Sequence, residues 1–160
     1  MKPRIGFGFD VHRLEKGRDF FLGGIKLQSE KGALGHSDAD VLIHAVCDAL
    51  LGAANLRDIG FHFPNTAEEY KNIDSKILLK KTADLLRKEN FIIGNIDVTV
   101  VLEQPKINPH VEEMKKAMAA VMSISEKDIS IKATTNEKLG YVGREEGVCA
   151  YAVAIVFSKK

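Results

Sequence analysis

The chain has 160 residues, 45% of them hydrophobic and 28% charged, with a net charge of +1, the proportions of one globular domain spanning 1–160. A charge so near balance argues against a nucleic-acid or acidic-membrane partner, and no apolar run reaches the ~18 residues that cross a bilayer. No secretory leader precedes the first strand, which begins almost at Met1, so a cytoplasmic location is expected.

Residues 4–27 read as strand, turn and strand. The stretch IGFGFDVH alternates, Glu15 to Asp19 is polar, and Phe20-Phe21-Leu22 resumes the apolar pattern. In a strand Asp10 and His12 project to one face, and Phe7, Phe9 and Val11 are expected to point the other way, into the core. Ser37-Asp38-Ala39-Asp40 opens a helix running to about Ala54, with the Ser37 hydroxyl at the N-cap and acids in the first turn. At helical spacing Ala39, Leu42, Ile43, Val46, Ala49, Leu50 and Ala53 form a core face, and Asp40, His44 and Asp48 form a seam nearly opposite. No lysine or arginine occurs from 37 to 54, so this seam is expected to face a cleft or interface, with Asp40 or Asp48 orienting the His44 ring.

Residues 55–72 form a loop rich in turn residues, among them Gly60, Pro64 and Asn65. A second helix is expected over 74–89, a β-branched strand over 91–103, and a third helix from Pro109 to about Met122. Strands over 129–134 and 148–157 close the chain. This order predicts an α+β domain, a sheet with helices packed on one face and ferredoxin-like βαβ character. The last strand, VCAYAVAIVF, is continuously apolar, so both its faces are expected to be covered, by helices on one side and a partner subunit on the other. Cys47 and Cys149 lie in apolar segments and read as buried thiols in a reducing compartment.

One carboxylate and two imidazoles, from Asp10, His12 and His44, make the ligand set of an open tetrahedral metal site whose fourth position is free for substrate or water. Alone, His44 reads first as a histidine bonded to nearby aspartates, and D-x-H is a common coincidence; the combination carries the metal reading. Gly35-His36-Ser37 bring backbone and side-chain donors to an anion. A glycine turn with a serine cap explains Gly35 and Ser37 as well, but leaves His36 without a role. Later, ATTNEKLG leaves a buried strand. There Thr134 and Thr135 suit phosphate oxygens and Glu137 a hard divalent ion, although a polar strand exit closed by Gly140 is the plain alternative. Arg144 suits phosphate through its planar fork. Asp58 to Gly60 and Phe63 to Asn65 would by themselves be connection chemistry.

Four segments, GFGFDVHRL, GHSDADVLIHAVCDALLGAANLRDIGFHFPNT, VTVVLEQPKINPH and IKATTNEKLGYVGREEGV, resemble the 2-C-methyl-D-erythritol 2,4-cyclodiphosphate synthase family of the non-mevalonate isoprenoid pathway, in its order and spacing and essentially end to end. The resemblance implies a phosphorus-oxygen lyase that converts 4-diphosphocytidyl-2-C-methyl-D-erythritol 2-phosphate to the cyclic diphosphate and CMP. It implies a homotrimer with active sites between subunits and an isoprenoid phosphate in a central cavity. It also implies that Asp10, His12 and His44 hold zinc next to the substrate and that Glu137 holds magnesium or manganese against its diphosphate. His36 and Thr135 match transition-state stabilisers, and Ser37 and Thr134 match substrate contacts. Asp58 and Gly60 fall in the ribose region, and Phe63 and Asn65 in the methylerythritol region. Leu102 to Asn108, largely through backbone groups and including Lys106 and Ile107, would with Ala133 form the cytidine pocket, and Tyr141 and Arg144 match positions near substrate and central cavity. Asn65 departs from the family's usual aspartate, Tyr141 from a frequent phenylalanine, and Asn108 from a common apolar residue.

Overall fold

Strand β1 (Lys2–Lys16) carries glycine and phenylalanine in strict alternation at its centre, and that alternation decides how the domain is layered. The computed structural model describes residues 1–159. After β1 come a short hairpin, β2 (Phe20–Leu22) and β3 (Ile25–Leu27), and then β4 (Lys31–Leu34). Helix α1 (Val41–Ala53), a single turn α2 (Ile59–His62) and helix α3 (Ser75–Lys88) follow. Strand β5 (Phe91–Val101), helix α4 (Val111–Met122), strand β6 (Ile129–Thr134), a turn α5 (Gly140–Gly143) and strand β7 (Gly147–Ser158) complete the chain. The five-stranded sheet has the order β4-β1-β7-β5-β6. Only the β5–β6 pair is parallel, joined by the crossover helix α4 as a parallel pair requires. Helices α1, α3 and α4 pack on one face, so the α+β expectation with a βαβ unit holds. Among the described residues, no helix is long and apolar enough to cross a membrane.

Phe7, Phe9 and Val11 do not enter the core, as the alternation had suggested. Phe7 is 61% exposed, and Phe9 and Val11 lie on the same open face with Ile5, Tyr151 and Val153. The helix-covered face belongs to Gly6, Gly8, Asp10 and His12. A Cβ on Gly6 would stand 1.9 Å from the Ala49 carbonyl oxygen, and one on Gly8 would stand 1.9 Å from that of Ala45. The backbones of α1 and β1 therefore approach as closely as the absence of side chains permits. Strand β7 follows the same rule: Ala150, Ala152 and Ala154 are buried under helices while Tyr151 and Val153 are exposed. In the single chain this strand is covered on one face only.

Helix α1 is buried on nearly every side; from Val41 to Leu51 only Asp48 is partly accessible. That burial between the sheet and α3 accounts for its lack of lysine and arginine better than a cleft-facing seam does. Its N-cap is Asp40, not Ser37: the Asp40 carboxylate accepts from Ile43 N at 3.0 Å and also from Gly23 N at 3.0 Å and Gly24 N at 2.7 Å. One fully buried acid thus caps α1 and ties it to the β2–β3 turn. That turn splits the single strand expected after Phe20 at two glycines of positive φ. Burial, aided by the charge of Asp38, pushes the Asp40 carboxyl up to about 6.

Smaller differences have local causes. Strand β4 pairs with β1 from Arg13↔Leu34 to Lys16↔Lys31, a short edge element without a strong sequence signal. The 55–72 loop holds α2 and a 3-10 turn, Glu68–Tyr70. Pro109 occupies a separate 3-10 turn, Asn108–His110, ahead of α4. Cys47 and Cys149 are free and buried, as expected.

Gly8→Ala should lower unfolding stability by about 3 kcal/mol or more, the upper range for overpacking against backbone, because the Ala45 carbonyl cannot move without α1. Chemical denaturation will measure this; a loss under about 0.5 kcal/mol, typical of a surface change, would show that the close approach is not needed.

Candidate functional site

The same close approach of α1 to β1 assembles the candidate metal ligands Asp10, His12 and His44. Asp10 and His12 stand opposite Ala150 and Val148 of β7, on the helix-covered face. His44 lies in the first turn of α1, one residue before the carbonyl that touches Gly8. Asp10 Oδ2 is 2.9 Å from His12 Nε2 and 3.1 Å from His44 Nδ1, and the two ring nitrogens are 3.3 Å apart. A tetrahedral ion with metal–nitrogen distances of about 2.0–2.1 Å has ligand–ligand edges of about 3.3–3.4 Å. The triangle therefore fits a divalent metal with little adjustment.

Hydrogen-bond direction supports the same fit. His12 Nδ1 is 3.0 Å from the Leu34 carbonyl oxygen, which can only accept, so Nδ1 carries the proton and Nε2 turns a lone pair inward. In neutral His12, a carboxylate oxygen and the Nε2 lone pair at 2.9 Å repel unless a metal ion or a proton lies between them. Burial alone would raise the Asp10 pKa, but the His12 and His44 rings beside it prevail and lower it to about 2. Burial disfavours a charged His44, yet Asp10 beside it raises its pKa above the ordinary value. Both shifts describe a pocket that favours positive charge.

The far side of the His44 ring is not held by Asp40 or Asp48, as the helical spacing suggested. Asp40 is committed to α1 and the Gly23–Gly24 turn, and Asp48 accepts from Ile59 N at 2.8 Å. His44 Nε2 instead meets Ser75 Oγ at 2.9 Å and Ser37 Oγ at 3.1 Å. Ser75, the first residue of α3, is fully buried. Its hydroxyl bonds Asp38 Oδ1, and its backbone N–H bonds Asp38 Oδ2 at 2.9 Å.

A cleft of about 580 Å³ opens beside the triad, lined by His12, His36, Ser37, His44, Gly60, Phe63 and Asn65 among others. Many of the sequence-predicted residues are thus brought together. His36 Nε2 donates to the Ala67 carbonyl at 3.0 Å, which leaves Nδ1 as its free ring atom. Asp58 does not line this cleft; it caps α2, accepting from Phe61 N at 2.9 Å, and so sets the turn that carries Gly60. The loop amides ahead of α1 are occupied by the chain itself: Ala39 N donates to Ser37 Oγ at 3.2 Å and Asp40 N to Asp38 Oδ1 at 3.1 Å.

A second cleft, about 210 Å³, is lined by Leu102, Lys106, Ile107, Asn108, Ala133, Thr134 and Thr135 with Glu103 and Pro105. Glu137 adjoins it, its N–H donating to Thr135 Oγ1 at 3.3 Å. Glu103 lies within the stretch Leu102 to Asn108 expected at this pocket, but the role of its side chain had no sequence signal. Its carboxylate accepts from Asn136 N at 3.3 Å and Lys138 N at 2.9 Å, pinning a turn in which Glu137 and Lys138 hold φ of 53° and 59°. Tyr141 and Arg144 line neither cleft: Tyr141 packs where a Gly147 side chain would be, and Arg144 Nε pairs with Glu146 at 3.0 Å. Asp10, Ala150, Val100 and Ala133 form one row across the sheet. The triad and the second cleft are therefore three strand spacings apart, about 14 Å. Ala150 and Val100 between them are fully buried under helices.

The chain matches the YgbB family over residues 3–157. The curated 2-C-methyl-D-erythritol 2,4-cyclodiphosphate synthase of Bacteroides thetaiotaomicron is 64% identical over 156 residues, covering 98% of each chain. That of Parabacteroides distasonis is also 64% identical, over 98% of this chain and 97% of its own. Among solved structures, the bifunctional IspDF of Campylobacter jejuni superposes with a TM-score of 0.95 at 38% identity, over 99% of this chain and 43% of that one. The chain thus spans less than half of that two-activity protein. IspF of Plasmodium falciparum, solved with CDP, gives 0.86 at 34% identity, over 99% and 97%.

His44→Ala should leave purified protein without stoichiometric divalent metal by elemental analysis, with the circular dichroism spectrum unchanged. Full metal content in that variant would remove His44 from the ligand set.

Proposed function

The chain belongs to the YgbB family, and from that premise we infer its activity as a lyase of isoprenoid biosynthesis. It converts 4-diphosphocytidyl-2-C-methyl-D-erythritol 2-phosphate to 2-C-methyl-D-erythritol 2,4-cyclodiphosphate and CMP, the step of the non-mevalonate pathway that its curated relatives are named for. The observation that carries this reading from fold to chemistry is the triad of Asp10, His12 and His44, each offering a ligand atom within 4.8 Å of the others, at the edge of a cleft with room for a phosphorylated polyol.

In the reaction the 2-phosphate oxygen attacks the β-phosphorus, the bond from that phosphorus to the α-phosphate bridging oxygen breaks, and CMP departs with the electron pair. Nucleophile and leaving group belong to one molecule, so the protein's task is to fold a flexible substrate and hold two anions together. Orientation of this kind contributes on the order of 7–11 kcal/mol relative to a bimolecular reaction. Bound by Asp10, His12 and His44, zinc would supply Lewis-acid polarisation of a phosphate oxygen, and magnesium or manganese on Glu137 would neutralise charge on the diphosphate. Ser37 Oγ already accepts from Ala39 N, so its hydroxyl proton is available to a phosphate oxygen. We assign transition-state contacts to His36, whose ring is anchored at the Ala67 carbonyl, and to Thr135, with Thr134 a further phosphate contact. Gly60, Phe63 and Asn65 would bound the methylerythritol end, and Asp58 would act by shaping α2 toward the ribose. Leu102, Lys106, Ile107, Asn108 and Ala133 would hold the cytosine; the CDP in a structural relative supports a cytidine-linked substrate.

One substrate has to touch both clefts, yet within one subunit they are about 14 Å apart with buried strands between. A homotrimer resolves this by setting the triad cleft of one copy against the cytidine cleft of the next. The exposed face of β1 and β7 supports such assembly, since Ile5 is 73% exposed and Phe7, Phe9, Val11, Tyr151 and Val153 extend the same apolar patch, the kind of surface that marks an association site. Joined around an axis, these faces would enclose the central cavity, with Tyr141 and Arg144 near its mouth to meet an isoprenoid phosphate. The working compartment proposed is the cytoplasm.

Phosphorus NMR of the cytidine substrate with protein, zinc and magnesium should show the cyclic diphosphate and CMP appearing together. Release of inorganic phosphate would instead identify a metal phosphoesterase. Mixing inactive His44→Ala subunits with inactive Glu137→Gln subunits, after dissociation and reassembly, should restore activity, because some interfaces then pair an intact triad with an intact Glu137. No recovery in verified mixed trimers would place the whole site within one subunit.

A further inference from the structure

Buried Ser75 and half-buried Asp38 have no place in the reaction as described, but their hydrogen bonds run in only one direction. Asp38, as a carboxylate, can only accept. It receives the Ser75 backbone N–H at 2.9 Å, the Asp40 N–H at 3.1 Å and the Ser75 hydroxyl. Having given its proton to Asp38, Ser75 Oγ has only lone pairs left for His44 Nε2, 2.9 Å away. Nε2 must then carry the ring proton, and Nδ1 must present its lone pair toward Asp10 and His12.

We propose that Ser75 and Asp38 are positioning residues that lock His44 in the Nε2–H tautomer and thereby keep Nδ1 open for the metal. The lock opposes two local pressures. Asp10 Oδ2, 3.1 Å from Nδ1, would accept a proton there. Ser37 Oγ, 3.1 Å from Nε2, would donate to a bare Nε2. Without Ser75 both favour the Nδ1–H tautomer, in which a proton fills the ligand position. The arrangement parallels the role of Leu34 toward His12, whose Nδ1–H meets a carbonyl that cannot donate. Ser75 starts α3 and Asp38 precedes α1, so the link also fixes the ring angle through two helices that pack together. The proposal rests on the metal reading of the triad.

Ser75→Ala is the direct test and should fold: alanine suits a helix start, Asp38 keeps its two backbone partners, and only one buried oxygen is lost. Zinc affinity, measured by chelator competition on metal-stripped full-length protein, should fall about 10–100-fold, the usual cost of losing such a partner. In the metal-free protein, at a pH high enough to leave His44 neutral, ¹⁵N NMR of the imidazoles should show His44 passing from Nε2–H in the parent to Nδ1–H in the variant. A purely structural serine would not move that signal. Asp38→Asn should weaken zinc binding as well, and in the Ser75→Ala background it should add little, because the two act through one chain of bonds. Unchanged zinc affinity and tautomer in Ser75→Ala would overturn the proposal. A parent protein that binds no zinc would instead overturn the metal reading itself, so the two failures are distinguishable.

Discussion

Contact of helix α1 with strand β1, backbone to backbone, is the constraint on which the rest of the structure depends. It exists because two positions of β1 have no side chain: Gly6 and Gly8 admit the carbonyls of Ala49 and Ala45 where a Cβ would have been 1.9 Å away. A helix normally packs against a sheet through a layer of side chains that keeps the backbones apart. Removing that layer at two alternate residues brings the first turn of α1 down to the strand, so that His44 reaches Asp10 and His12, the next two residues on the same face. Metal geometry thus follows from packing: the glycines set the depth of the helix, and helix depth sets the 3.1 Å and 3.3 Å separations of the ligand atoms.

Ordering of the protons at the site is achieved by groups that cannot reverse their hydrogen bonds. A backbone carbonyl behind His12 and a carboxylate behind Ser75 each leave a single donor direction, so both imidazoles aim lone pairs at Asp10. Buried networks of this kind hold one arrangement because any alternative leaves a polar group unpaired, at a cost of about 1–3 kcal/mol. Asp40 applies the same economy to the scaffold, with one carboxylate receiving three backbone amides from two separate segments. Its elevated pKa reflects burial outweighing those bonds.

Much of this was legible in the amino-acid order, and the rest was hidden for identifiable reasons. Residues two apart on a strand share a face, so Asp10 and His12 could be paired from sequence, and the helical run around His44 supplied a third ligand. The major helices and long strands emerged from apolar periodicity, with boundaries within a few residues. Alternation, however, separates two faces without saying which one the chain itself covers. Larger side chains suggested that Phe7, Phe9 and Val11 were inside, whereas the informative residues were the glycines between them, small because a helix lies on top. Ser37 looked like the cap of α1, but the chain first turns through Asp38 and Ala39, the latter at a φ of 58°, and Asp40 takes that place. Ser75 is 37 residues from Asp38 and Glu103 is 35 from Lys138. Neither pairing leaves a local pattern, so only the folded chain reveals them.

Two features of the single chain are incomplete in complementary ways. Its open sheet face exposes Ile5, Phe7, Phe9, Val11, Tyr151 and Val153, and in the proposed reaction its two clefts would each hold part of a site that one substrate spans. Separate explanations are available, such as an unrelated partner for the face and a long flexible substrate bridging the clefts. Each is less economical than one assembly step. Val11, Cys149, Val101 and Thr134 form one row on the outward side of the sheet, with Cys149 itself buried, so the open sheet face and the Thr134–Glu137 turn lie on the same side of the sheet. Any copy docked against that face is therefore brought up to the second cleft as well. Burial of the aromatic patch would then stabilise the same arrangement that completes the site, and a subunit unable to associate would be both poorly soluble and inactive through a single defect.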